Sequence, residues 1–205
     1  MFTRRYTNFW DGLFRPSRTH LLGSGEVKTL TNLVTNGDFS NGTTGWTLGN
    51  CTATAANNEL SVTATARYGG PFQSITNPTS YRSHVIYCGG LFKLSPSNIY
   101  EVYMIVNDGV NQTIVYPSVL NEYHRISTLH TMAANASTLY IKLQDGRLSG
   151  WSLSNAMYWI MVDLTASFGA GNEPTKTDMD NWIATQSNSW FATTAEYLAN
   201  TNQWF

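Results

Sequence analysis

Hydrophobic and polar residues alternate along much of this chain, which predicts β-strands. The clearest case is residues 59–67, where Leu60, Val62, Ala64 and Ala66 alternate with polar residues. A period of two predicts a strand with one buried face and one wet face. Further strands are predicted at 32–39, 84–94, 99–106, 112–116, 123–129, 138–143 and 156–164. About eight strands without helices between them favour an all-β, antiparallel, jelly-roll-like sandwich.

A helical pattern replaces this alternation after Pro174. Met179, Trp182 and Ile183 share one face of a helix that begins there. Thr175 is a suitable N-cap, and an acidic residue follows three positions later. The sequence therefore predicts a short C-terminal helix, and residues 196–200 are expected to add a last helical turn.

Residues 1–30 have neither period and differ from the rest in composition. Residues 1–29 hold five Lys and Arg against two Asp and Glu. We expect three regions: an arm at 1–30, a jelly roll at 31–168, and a loop, helix and tail at 169–205. The arm is expected either to anchor the chain to a larger assembly or to fold back on its own domain. The candidate anchor residues are basic or aromatic: Arg4, Arg5, Phe9, Trp10 and Phe14.

Composition narrows the classes of function. Charged residues make up 12% of the 205 residues and the net charge is −1, so neither nucleic acid nor membrane is an expected partner. The sequence has no apolar run of about 18 residues that would span a bilayer. Cys51 and Cys88 could pair if their strands were neighbours, but two free thiols are the favoured interpretation.

Two regions resemble a known pattern. NLVTNGDFSNGTTGW at 32–46 looks like the opening of jelly-roll carbohydrate-binding modules, and 122–126 and 136–143 fit two further strands of that family. DLTASFGAGNEP at 163–174, with the helix to Ile183, resembles a segment of tail and appendage proteins from phages of Gram-positive hosts. The resemblance implies a β-sandwich in a tailed-phage virion protein.

The resemblance also implies a candidate calcium site. In related jelly rolls an acidic residue near the first strand helps to hold calcium, and Asp38 occupies that position here. Asp163 could supply a second carboxylate, and loop carbonyls could complete the shell. The alternative is that Asp38 only satisfies local backbone groups. No other cofactor is expected, since the histidines lack metal-ligand spacing.

Aromatic residues in loops and at strand ends are candidates for sugar binding. A sugar-binding platform could be formed by Tyr68, Tyr116 and Trp151. We place Trp151 in the connection 145–155. The alternative is that these rings anchor loops or fill the core. The Gly169–Gly171 pair does not predict a nucleotide site, because the third glycine of that pattern is replaced by Pro174.

The sequence thus predicts a structural, non-enzymatic virion protein, since no catalytic constellation is evident. The arm would bind other capsid or tail proteins, and the jelly roll would face outward as capsid decoration, head fibre or tail appendage, in contact with host cell-wall glycan. A homotrimer is the preferred oligomer. The alternative is a carbohydrate-binding module of a secreted bacterial glycan-active protein.

Overall fold

The computed structural model describes residues 27–93, 102–119, 121–146, 151–187 and 190–198, with only the backbone of 151–154 and 198. The chain divides into two compact units, residues 1–28 with 196–205 and residues 29–195. Nearly all described residues belong to the second unit. The predicted anchor residues of the arm lie outside the described residues: Arg4, Arg5, Phe9, Trp10 and Phe14.

The described chain consists mainly of β-strands, as the alternation predicts. Two α-helices follow the longest strand, and a short 3₁₀ helix spans Pro78–Tyr81. The elements in chain order are β1 (Val27–Thr31), β2 (Thr47–Gly49), β3 (Cys51–Ala56), β4 (Glu59–Ala64), β5 (Gly70–Ser74), β6 (Val85–Lys93), β7 (Val102–Asn107), β8 (Gln112–Val115), β9 (His124–Thr131), β10 (Tyr140–Asp145), β11 (Trp151–Asp163), α1 (Leu164–Phe168), α2 (Lys176–Ala184) and β12 (Thr194–Leu198).

Two five-stranded antiparallel sheets form the sandwich. The front sheet has the strand order β2-β5-β10-β7-β8, and the back sheet has the order β3-β4-β11-β6-β9. Neighbouring strands within both sheets run antiparallel. This arrangement confirms the predicted all-β jelly-roll-like sandwich.

Aromatic rings fill the centre of the sandwich. The Trp159 ring packs 5.0 Å from that of Trp46 and 4.9 Å from that of Phe92, and Phe39 adds a fourth ring 5.2 Å from Trp46. All four residues are at most 8% exposed. Burial of such large rings dominates the stability of a core. Trp46, part of the Gly-Trp pair in the resemblance, is therefore a core residue.

The strand predicted at 32–39 was wrong, because these residues form bends and turns. Asn36 and Phe39 have positive φ angles of 50° and 55°, which a strand excludes. Asn32 directs the chain here: its Oδ1 accepts hydrogen bonds from the backbone N–H of Val34 and Met161. Side-chain hydrogen bonds of this kind compete with strand pairing.

The helical turn predicted at 196–200 was also wrong. β12 occupies Thr194–Leu198 and pairs with β1 as a two-stranded sheet. The N–H of Asn32 donates to the carbonyl of Thr193 at 2.7 Å, next to this pairing. Pairing with a distant strand thus overrides a weak local helix preference.

The helix prediction after Pro174 was correct. α2 begins after a capping box in which the Thr175 hydroxyl accepts from the Asp178 N–H, and the Asp178 carboxylate accepts from the Thr175 N–H. Met179 and Ile183 are fully buried. No described helix is both long and apolar enough to cross a membrane.

The two cysteines are free, as expected. Cys51 lies on β3 and Cys88 on β6, and two strands of the back sheet separate them. Cys88 is fully buried, and burial raises the pKa of its thiol. The strand order explains why these thiols do not pair.

Candidate functional site

The outer side of the back sheet is the side on which the helices pack. α1 contacts β6 and α2 contacts β9. The carboxylate of Asp180 on α2 accepts hydrogen bonds from the Tyr87 hydroxyl and the Ser127 hydroxyl, both at 2.6 Å. Hydrogen bonds and buried apolar residues therefore fix α2 on this sheet.

Alternate residues of the front sheet point to opposite sides. On β10, Ile141 and Leu143 are fully buried against the core, whereas Tyr140, Lys142 and Gln144 are half-buried on the outer side. The register carries this pattern across the sheet, since Lys142 lies opposite Phe72 of β5 and Ile105 of β7. We call the outer side the front face. Its partly or fully exposed residues are Phe72, Tyr103, Ile114, Tyr116, Tyr140, Lys142 and Gln144, whereas Ile105 on the same side is only 2% exposed.

The front face is rich in exposed apolar surface. Tyr116 is 47% exposed and Ile114 is 42% exposed, and both lie on or just after β8. Val110 and Val119 on either side of β8 are also exposed. Exposed apolar side chains that gather on one side of a folded domain are candidates for a binding site. The β8 side of the front sheet is therefore the candidate site.

Two pairs of aromatic rings lie on the front face. The Tyr103 and Tyr116 rings are 5.3 Å apart, and the Phe72 and Tyr140 rings are 6.1 Å apart in an edge-to-face arrangement. These distances are typical of favourable aromatic pairs. Ring pairing across neighbouring strands fixes the orientation of the rings before any ligand binds.

Polar groups lie between the two ring pairs. The Gln144 amide donates a 2.8 Å hydrogen bond to the Tyr103 hydroxyl. The Lys142 ammonium lies on the same central strand. Burial raises the pKa of the Tyr140 hydroxyl, so this group is protonated and can donate at neutral pH. Fixed rings with a few placed polar groups are the usual composition of a small-molecule or sugar site.

The structure brings two of the three predicted sugar-binding residues near the front face. Tyr116 belongs to it, and Tyr68 lies beside it, where the Tyr68 carbonyl accepts a hydrogen bond from Lys142. Trp151 is placed differently from the prediction, because it begins β11 of the back sheet and pairs with Ala64 instead of lying in a connection.

The sequence analysis missed most of the front face. Tyr140, Lys142 and Gln144 alternate with Ile141 and Leu143, and this period of two was the available signal. The same alternation places Tyr103 on the outer side of β7. The grouping of these residues was not visible, because it depends on which strands are neighbours.

The two residues predicted as calcium ligands, Asp163 and Asp38, both have protein partners. Both oxygens of the Asp163 carboxylate have protein partners: the N–H of Ala166 at 2.9 Å and the Nδ1 atom of His84 at 2.7 Å. Asp38 accepts hydrogen bonds from the N–H and hydroxyl of Ser40 and borders a cleft of about 410 Å³ with Trp190. No cluster of three or more His, Cys, Asp or Glu side chains suited to a metal occurs among the described residues. The two aspartates therefore act as local backbone and side-chain acceptors.

The segment from Asp163 to the start of α2 is a hydrogen-bonded joint. The Thr165 hydroxyl accepts from the Val85 N–H and donates to the Glu173 carboxylate, which also accepts from the Gly171 N–H. Gly169 and Gly171 have φ angles of 85° and 83°, which glycine adopts readily. These residues connect the two helices on the back sheet. Their roles are structural, as the missing third glycine indicated.

Comparison with known proteins supports the fold. No protein-family model matches the sequence, and no curated protein matches it. Among solved structures, the enzymatically active domain of tailspike protein 4 of bacteriophage CBA120 is similar with a TM-score of 0.50 and 14% identity, over 63% of this chain and 21% of that chain. This chain thus matches about a fifth of the tailspike chain.

Two further similar structures are carbohydrate-binding modules. The family 16 carbohydrate binding module-2 has a TM-score of 0.48 and 16% identity, over 64% of this chain and 100% of the module. The CBM22-1–CBM22-2 tandem domain of Xyn10C from Paenibacillus barcinonensis has a TM-score of 0.49 and 17% identity, over 73% of this chain and 48% of that one. The likeness to the tailspike domain, at 14% identity, concerns the β-sandwich fold alone.

Proposed function

We propose that this chain is a glycan-binding jelly roll and that its front face is the binding surface. The observation that supports this most directly is the pair of preformed aromatic contacts, Tyr103 with Tyr116 and Phe72 with Tyr140, on one side of the front sheet. The C–H faces of sugar rings pack on aromatic rings, and sugar hydroxyls need nearby polar partners. The Gln144 amide and the tyrosine hydroxyls supply such partners.

A glycan explains this surface better than an apolar protein partner would. The rings alternate with amide, hydroxyl and ammonium groups across the β10–β7 pair, which suits a ligand that is itself amphipathic. The carbohydrate-binding modules among the similar structures have the same general fold, although that likeness concerns the fold alone.

The test is a binding titration with soluble polysaccharides: mixed-linkage glucan, xylan and wall polysaccharide of a Gram-positive bacterium. The Tyr116→Ala and Tyr103→Ala variants should bind roughly 10- to 30-fold more weakly, because truncation of an anchoring aromatic residue costs about 2 kcal/mol. Tyr158→Ala is the matched control, since Tyr158 pairs with Trp190 at 6.0 Å and belongs to the back sheet. Equal weakening in the control variant, or no binding by the native protein, would refute the proposed site.

We further propose that the protein belongs to a tailed-phage virion. The sequence of residues 163–183, with its resemblance to tail and appendage proteins, supports this setting. The candidate anchor for assembly is the basic and aromatic arm, residues 1–30. Deletion of residues 1–28 should abolish incorporation into purified phage particles while the jelly roll stays folded. Normal incorporation of the truncated chain would refute the anchoring role. Absence of the full chain from purified particles would instead favour a secreted glycan-binding module.

A further inference from the structure

A cationic corner borders the front face at Tyr68. The Arg67 guanidinium carbon lies 4.6 Å from the centroid of the Tyr68 ring, and the Lys142 ammonium donates a 2.6 Å hydrogen bond to the Tyr68 carbonyl. The Nε atom of Arg67 donates to the carbonyl of Gly146 at 3.2 Å. Both side chains are therefore positioned by neutral backbone carbonyls.

No carboxylate neutralises this corner among the residues that the structure describes. None of the ion pairs between described residues includes Arg67 or Lys142. Asp145, whose backbone pairs with Gly69, is fully buried and does not present its carboxylate to solvent. An ammonium has three donor protons and a guanidinium has five, so each group has donors left for a ligand.

The surroundings of Lys142 favour an anion as that ligand. Burial lowers the pKa of its ammonium, and the nearby Cys51 thiol only partly opposes this shift. An anion bound beside Lys142 would offset the cost of burying its charge. Arg67 is exposed, and its planar guanidinium suits the two oxygens of a carboxylate or phosphate.

The corner lies next to the Phe72–Tyr140 ring pair. Lys142 lies directly opposite Phe72 on one side and Ile105 on the other. A sugar unit on the rings could therefore place a charged substituent next to Arg67 and Lys142. Charge would then select among glycans that the rings accept equally well.

We propose that the front face recognises an acidic glycan, with Arg67 and Lys142 binding a carboxylate or phosphate group of the sugar chain. This inference rests on the proposed glycan-binding function and adds the class of glycan. Neutral chains are expected to bind through the rings alone and more weakly.

The experiment compares polymers that share a sugar backbone and differ in charge. The full chain is titrated with polygalacturonate and its fully methyl-esterified form, and with phosphorylated and unmodified amylose. The acidic member of at least one pair should bind about tenfold or more tightly than its neutral member, and sodium chloride should weaken only the acidic complex. Preference confined to one pair would identify carboxylate or phosphate as the group bound.

Substitutions test whether the preference for acidic polymers comes from Arg67 and Lys142. Arg67→Gln with Lys142→Gln should reduce the affinity for the acidic polymer to that for the neutral one. Lys93→Gln at the end of β6 in the back sheet is the control and should leave the ratio unchanged. The single variant Arg67→Gln, at an exposed position, gives the same comparison if the double variant is unstable.

The outcomes distinguish the proposal that the front face binds glycans from the proposal that it selects acidic glycans. Equal affinity for acidic and neutral polymers, with binding still dependent on Tyr116, would overturn the acidic specificity and leave the glycan site intact. A charge preference that survives removal of both cations would overturn the assignment of this corner. Absence of binding to every polysaccharide tested here and above would overturn both.

Discussion

The Nδ1 atom of His84 lies 2.7 Å from the Oδ2 atom of Asp163. Asp163 ends β11, where it pairs with Ile86, and His84 directly precedes β6. The other oxygen of Asp163 caps α1 through the N–H of Ala166. One carboxylate thus connects the end of the longest strand, the neighbouring strand and the first helix. Asp163, which the sequence offered as a possible metal ligand, is the N-cap of α1.

Replacement of Asp163 should show how much its hydrogen bonds to Ala166 and His84 contribute to stability. Asp163→Ala is expected to lower the free energy of unfolding by about 2 kcal/mol, through loss of the cap and of a charge-assisted hydrogen bond. Asp163→Asn keeps a capping oxygen and should cost less. Urea unfolding followed by tryptophan fluorescence measures both, and Asp38→Ala serves as the control. A loss no larger for Asp163→Ala than for the control would contradict the role of the cap.

Thr175 should stabilise α2 more than its neighbour Thr177 does. Thr175→Ala removes the capping box and should cost about 1 kcal/mol, whereas the exposed Thr177 lies inside the helix and its replacement should be nearly neutral or slightly stabilising. Urea midpoints of the two variants provide the comparison. Equal midpoints would mean that the observed box does not stabilise the helix.

Gly70 should be intolerant of a side chain. A Cβ atom there would lie 1.8 Å from the carbonyl oxygen of Leu143 on the paired strand β10. Gly70→Ala must therefore separate β5 from β10, and we expect a loss of more than about 3 kcal/mol together with weaker glycan binding. Gly42→Ala is the control, because nothing lies within 4 Å of its Cβ position and only its φ of 60° is strained. The two melting temperatures should differ by several degrees.

Asp108 and His130 should make the protein sensitive to acid. The Nε2 atom of His130 lies 3.4 Å from Asp108 Oδ2, and both side chains are almost fully buried. Burial lowers the pKa of His130, and Asp108 only partly opposes this. Burial alone would raise the pKa of Asp108, but hydrogen bonds from the N–H groups of Ala133, Asn111 and Val110 lower it overall. The folded state therefore binds these protons less readily than the unfolded state does.

Stability should consequently fall as the pH falls. The loss is expected to begin below about pH 6.5, where the unfolded histidine takes up a proton, and to grow below about pH 4 through the aspartate. Urea midpoints measured from pH 8 to pH 4 test this course. His130→Gln should be less stable at pH 8 and should lack the first part of the decline. A midpoint that stays level between pH 7 and pH 5 in the native protein would contradict the expected protonation of His130.

Local patterns in the sequence were sufficient for much of the fold. The period of two at β4 and the cap at Thr175 predicted elements that the structure contains, because burial of one face and satisfaction of helix N–H groups depend on nearby residues. The same reasoning failed at 32–39 and 196–200. At 32–39 the backbone follows a hydrogen bond between Met161 and Asn32, and at 196–200 it follows the pairing of β12 with β1. In both cases the partner lies far away in the chain.

The candidate site depended on tertiary structure for the same reason. Alternation along Tyr140–Asp145 places Lys142 and Gln144 on one side of a strand, but only the register of β10 with β5 and β7 sets them among Phe72 and Tyr103. Likewise, Tyr68 and Lys142 are 74 positions apart and meet through one hydrogen bond. The sequence by itself determined strands with clear alternation, such as β4 and β10, together with the capped helix and the aromatic content. The tertiary structure decided which residues share a face, because strand order and register join segments that local periodicity cannot relate.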